Sequence, residues 1–92
     1  MFEWDEAKRL VNIERHDVDF VDVLAVFGDP ARVEVEDSRR PYGERRLVIL
    51  CPIRGRLYHV TYTVRGLARR IISARKANDR EQQSYERYRE SH

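Results

Sequence analysis

Four arginines, Arg65, Arg69, Arg70 and Arg75, fall within one alternating stretch, LYHVTYTVRGLARRIISARK. A guanidinium is a planar fork of donors that matches a phosphate better than the point charge of a lysine. Arginines set on strands therefore suit an anionic backbone. Tyr62, His59, His16, Lys8 and Glu44 are the helpers at hand. Such a set could stabilise a phosphorane-like transition state and move protons without a metal. A binding surface would look the same, and so would a charged edge that discourages strand aggregation. Other chemistries lack their residues. The single Cys51 and the scattered His16, His59 and His92 have no zinc spacing. The four glycines are isolated, so there is no phosphate loop, and no nucleophile elbow is present.

Charge is divided along the chain. Residues 1–37 carry 4 Lys/Arg against 11 Asp/Glu, a net of −7, while residues 38–92 carry 14 against 5, a net of +9. Of the 18 basic residues 16 are Arg. That balance points to an anionic partner for the second half, nucleic acid first, and against indiscriminate coating of duplex DNA. At 92 residues the chain is expected to be one domain, 1–92. The lone Cys51 in the run LVILC reads as a small core residue in a reducing compartment. MFEWDEAK has neither a basic start nor an apolar run, and nothing is long enough to cross a bilayer, so a cytoplasmic, soluble protein is expected, with no membrane partner.

The elements that must position these groups follow from periodicity. Residues 57–65 alternate, with Tyr58, Val60, Tyr62 and Val64 on one face and Leu57, His59, Thr61, Thr63 and Arg65 on the other. Gly66 makes a turn, and residues 69–76 return with Ile71, Ser73 and Arg75 on one side, Ile72 and Ala74 on the other. Residues 31–37 and 45–51 supply two further strands, joined by a turn over 38–44, which gives a four-stranded antiparallel meander. Phe2 to Trp4 could form a short opening strand. Asp5 caps a helix over 6–15 whose Lys8, Asn12 and His16 form a polar stripe that could face a substrate. Asp19 caps a second helix with Phe20, Val23, Leu24 and Phe27 on its buried face, ended by Gly28-Asp29-Pro30. Asn78 with Glu81 caps the last helix, whose only large apolar groups are Tyr85 and Tyr88. The class is α+β: two N-terminal helices packed on the sheet and one C-terminal helix.

Several of these residues carry a family resemblance. Trp4-Asp5-Glu6-Ala7-Lys8, Asn12, Arg15-His16, Phe20 and Val26-Phe27-Gly28-Asp29-Pro30 resemble the BrnT toxins. So do Gly43-Glu44, Arg46, Tyr62-Thr63, Arg65, the run from Arg70 to Ala77, Glu81 and Tyr85. One departure is Asp17, where members carry Gly; Asp tolerates a left-handed backbone, so the turn is expected to persist. The resemblance implies a RelE-like fold and an RNA endonuclease that halts translation. It also implies a DNA-binding antitoxin, BrnA, as partner, with operator DNA met only indirectly through it.

The expected activity is attack of a ribose 2′-OH on the adjacent phosphorus, with no cofactor. Arg65 and Arg75 are expected to clamp the phosphate, with Lys8 and His16 as proton-transfer or substrate-holding groups. Arg46, Arg69, Arg70 and Ser73 are expected to contact substrate. Tyr62 belongs with the core by its alternation, and His59 reads as a surface strand residue. The alternative is a non-catalytic RNA- or protein-binding module with the same basic sheet.

Overall fold

The computed structural model describes residues 1–39 and 41–92, so the expected turn over 38–44 is seen except at residue 40, which lies outside the described residues. Five strands form one sheet: β1 (Phe2–Trp4), β2 (Val33–Asp37), β3 (Arg46–Ile53), β4 (Arg56–Arg65) and β5 (Ala68–Lys76). Their order is β1-β5-β4-β3-β2. From β2 to β5 this is the antiparallel meander read from the sequence. The four-stranded expectation is corrected by β1, which joins the far side of β5 in parallel, Phe2 opposite Arg69 and Trp4 opposite Ile71. The sheet is therefore mixed. β1 covers backbone groups that the edge of β5 would leave open, and Met1 O accepts from Arg69 N–H at 2.9 Å.

Beyond β1 the edge of β5 is covered by α1 (Glu6–His16). Asp5 caps this helix, its Oδ1 accepting from the N–H groups of Ala7 (2.9 Å) and Lys8 (3.2 Å). Asp17 ends it in the left-handed region at φ 56°, ψ 36°, its N–H bonded to Ile13 O, so the expected turn persists with Asp. Asn12 is buried. Its Nδ2 donates to Val18 O (2.8 Å) and Ala74 O (2.7 Å), and its Oδ1 accepts from Ala74 N–H (3.2 Å). One side chain thus completes the strand edge as a neighbouring strand would. The expected substrate-facing stripe of Lys8, Asn12 and His16 loses its middle member to this structural role.

The second expected helix is a 3-10 helix, Phe20–Gly28, capped by Asp19. At three residues per turn the buried positions recur every third residue. Phe20, Val23 and Val26 are buried accordingly, while Leu24 and Phe27 are only partly covered. This helix lies over one sheet face and forms the core with Ile49, Cys51, Val60, Tyr62, Ile71 and Ala74. Rings close its end: Phe27 meets Tyr62 edge-on at 4.9 Å and Phe2 at 4.8 Å. Burial pushes the Cys51 thiol up to about 11, which leaves it an inert core group.

A β-bulge corrects the facing read for β5. Thr61 lies opposite Ser73 but Tyr62 lies opposite Ile71, so Ile72 is the extra residue. Strict alternation would set Ile71 beside Ser73 and Arg75; the bulge instead buries Ile71 and Ala74 together and turns Ser73 and Arg75 to the other face. The last element, α2 (Asp79–Ser91), has the expected capping box between Asn78 and Glu81 and no buried residue.

Candidate functional site

The sheet face away from the 3-10 helix holds the polar groups. Register sets them in rows: Val33, Leu50, His59 and Arg75 first, then Val35, Val48, Thr61 and Ser73. Asp37 with Arg46, and Thr63 with Arg70, make the third. Arg46, Arg70, Ser73 and Arg75, four of the eight residues expected at the site, thus share one face. Arg69 does not; its guanidinium lies 5.5 Å over the Phe27 ring at the margin of the core face. Nor do Arg65 and Arg75 form a clamp. Arg65 pairs with Ala68 at the hairpin tip, beside Gly66 (φ 58°) and the exposed Leu67, whereas Arg75 pairs with His59. Six residues of strand separate the two positions, about 20 Å at the usual rise, too far for one phosphate.

Arg46, Arg70 and Arg75 each have an acidic partner. Arg70 Nη1 donates to Glu3 Oε2 at 2.6 Å. Arg46 reaches Glu44 at 3.3 Å and stacks on the Tyr42 ring at 4.0 Å. Arg75 makes the strongest pair, both terminal nitrogens donating to the two oxygens of Glu81 at 2.8 Å. Glu81 also accepts from Asn78 N–H (2.9 Å) and lies 3.5 Å from His59 Nε2. Burial works against its charge, but Arg75 and the Asn78 N–H prevail and hold the carboxyl down at about 2. His59 is shifted the other way: burial, then the nearby Arg75 charge, lower its basicity, and its Nδ1 is buried with no hydrogen-bond partner. Tyr62 belongs to the core as expected, its hydroxyl donating to Glu34 at 2.6 Å. Burial, then that bond, push it up to about 12, which keeps the phenol protonated at neutral pH.

Lys8 and His16 lie on α1, along a groove of about 440 Å³ between that helix and β5. Its walls include Val11, Arg15, Ile72 and Ser73. Among the described residues, no acidic group lies within ion-pair distance of Lys8, Arg15 or His16. These are therefore the open cations beside the sheet, in contrast to the paired arginines on it. Ser73 joins the two regions, since it lines the groove and faces the arginine rows. Sequence reasoning left Arg15 out of the site. Its signal was the i, i+7 spacing from Lys8 on one helical side. It also read Glu81 only as a cap and set His59 aside, because contacts between β4, β5 and the last helix leave no local pattern.

Fold and site together define a class, a small α+β domain with one packed sheet face and one arginine-bearing face beside a cationic groove. A family model for the ribonuclease toxin BrnT of type II toxin–antitoxin systems matches residues 4–81. The chain belongs to that family. No curated protein matches it.

Proposed function

We propose that this chain is the toxin of a toxin–antitoxin pair and cleaves RNA without a metal ion. The observation that carries the reading is the continuity at Ser73 between the open cations of the α1 groove and the arginine rows of the sheet. A single strand of RNA laid across β5 would meet Lys8, Arg15 and His16 on one side and Arg70 and Arg75 on the other. In the proposed reaction the ribose 2′-oxygen forms a bond to phosphorus as its proton passes to a base. The bond from phosphorus to the 5′-oxygen breaks, and that oxygen takes a proton. Lys8 and His16 are the proton-transfer candidates, and Arg75 the group that stabilises the extra negative charge. Arg46, Arg70 and Ser73 hold flanking phosphates, Arg69 stays with Phe27 at the margin of the core face, and Arg65, distant at the hairpin tip, meets the RNA beyond the reacting nucleotide. Guanidinium, ammonium and imidazole groups can neutralise charge and move protons themselves, which supports a reaction that needs no cation.

The same reading supplies a BrnA-type antitoxin that covers the arginine face, contacts operator DNA itself, and works in the cytoplasm. No helix among the described residues is long and apolar enough to cross a membrane. The deciding experiment is incubation of purified chain with RNA in EDTA and analysis of the product ends. Products with 2′,3′-cyclic phosphate and 5′-OH ends are expected. Loss of cleavage in EDTA, restored by Mg²⁺, would overturn the mechanism in favour of metal-assisted hydrolysis. Wild-type cleavage by an Arg75→Ala variant would remove Arg75 from the site. RNA binding with no cleavage by the unaltered chain would mark a binding module.

A further inference from the structure

Arg75 is the arginine that the proposed chemistry needs most, and it is the one most fully engaged. Both terminal nitrogens are taken by the Glu81 carboxylate in the fork geometry that a guanidinium uses for phosphate. The groups around the carboxylate are also those that suit phosphate oxygens: the Asn78 N–H at 2.9 Å and His59 Nε2 at 3.5 Å. We propose that Glu81 is the resident occupant of a phosphate subsite centred on Arg75, and that single-stranded RNA enters this subsite by displacing the carboxylate as α2 loosens from the sheet. The inference rests on the reading that this face binds RNA.

Three features make α2 a removable cover. None of its residues is buried. Among the described residues, its polar ties to the rest of the domain run through Glu81 and through Tyr85, whose hydroxyl donates to Ala31 O at 2.7 Å. Beneath it a cleft of about 360 Å³ remains open between Glu81 and Ser84 above and Val35, Val48 and Leu50 below. The closed arrangement also leaves His59 Nδ1 buried without a partner, a group that a ligand entering the cleft could satisfy. Acid does not release the latch near neutrality, because Glu81 stays ionised down to about pH 2. Competition by another anion does.

The test uses the full chain and a 2′-O-methylated single-stranded RNA, which cannot be cleaved by attack of its own 2′-oxygen. Glu81→Gln removes the charge but keeps a side chain that can complete the capping box. Glu86→Gln removes one charge from an exposed position of the same helix and controls for net charge. Glu81→Gln is expected to bind the RNA about tenfold more tightly, beyond any gain from Glu86→Gln, as a charge-assisted fork is freed. In an Arg75→Ala background that gain should vanish. Tyr85→Phe, which loosens α2 without touching the Arg75 pair, should also strengthen binding, and hydrogen exchange in α2 should quicken when RNA is added. Equal gains from Glu81→Gln and Glu86→Gln, a gain that survives Arg75→Ala, or weaker binding by Glu81→Gln and Tyr85→Phe would each overturn the proposal. Failure of the cleavage reading is separable: a wild-type chain that cuts no RNA would sink that reading and leave this binding comparison intact.

Discussion

Replacing Asn12 by alanine tests the edge of the sheet and the reading of the groove together. Asn12 donates to Val18 O and Ala74 O and accepts from Ala74 N–H, all in buried surroundings. The variant would strand three backbone groups. Each lost bond is worth about 0.5–1.5 kcal/mol, and more where the partner stays dry and unpaired. Alanine's better helix propensity returns roughly half a kilocalorie per mole. The expected net loss is about 3 kcal/mol, against a total of roughly 5–14 kcal/mol for a domain of this size. The melting temperature should fall by about 12–24 °C. Urea unfolding followed by circular dichroism measures the loss, with the slope against denaturant unchanged. Asn12→Asp, which trades two donors for a charged acceptor facing carbonyls, should do at least as much damage. A loss below about 1 kcal/mol would refute the bridging role, since it is less than one well-made buried bond with its stranded partner. Wild-type stability combined with lost RNA cleavage would instead return Asn12 to the substrate.

Glu81 ionises at about 2 in the folded chain, below its value in an unfolded one, so its pairing with Arg75 contributes fully above about pH 4.5 and is lost as pH falls towards 2. Acid should therefore remove about 1–2 kcal/mol from the wild type across that window, after discounting for solvent screening, and less from Glu81→Gln. Urea unfolding at several pH values measures the difference, and parallel curves for the two proteins would contradict it. Asp17→Gly should raise stability by about 0.5–1 kcal/mol, because glycine adopts the left-handed backbone without the steric cost borne by Asp; a destabilised variant would show that the Asp17 side chain contributes more than its backbone costs. Tyr88 is 44% exposed and stacks on His92 at 4.0 Å, so Tyr88→Ala should lower the melting temperature little and weaken antitoxin binding in calorimetric titration. A large fall in melting temperature with unchanged affinity would place that interface elsewhere.

Legibility in the sequence followed locality. Asp5, Asn78 and Glu81 announce their helices because a cap is read within four residues of itself, and all three cap as expected. The meander from β2 to β5 was legible for the same reason: each strand pairs with its neighbour in sequence. β1 pairs with a strand more than sixty residues away, and three residues hold no sign of that partner. Ile72 could not be read as a bulge, because Ile71-Ile72-Ser73-Ala74 fits either facing until the core chooses Ile71 and Ala74. Asn12 was misread because a polar residue on a helix ordinarily signals solvent. Ser73 and Arg75 were read onto one side with Arg46 beside them, but strict alternation set Arg70 on the opposite side, and only the bulge at Ile72 brings it to their face. The clamp failed because a hairpin places the residue before its turn and the one near the end of its second strand at opposite ends.

The pairing of β1 with β5 bears on when the molecule can exist at all during its own synthesis. The first strand has no partner until residues 69–71 are made, and Asn12 has none on the sheet until Ala74 is. Contacts so distant in sequence form only once the long loop between them closes. A chain growing from its N-terminus at about 5–20 residues per second lacks, until residues 68–76 are made, the strand on which groove, sheet edge and Arg75 all depend. The site is assembled only after β5 has been made. A protein that attacks RNA would thereby be kept from acting until that strand is made, a safeguard that lies in the order of its strands.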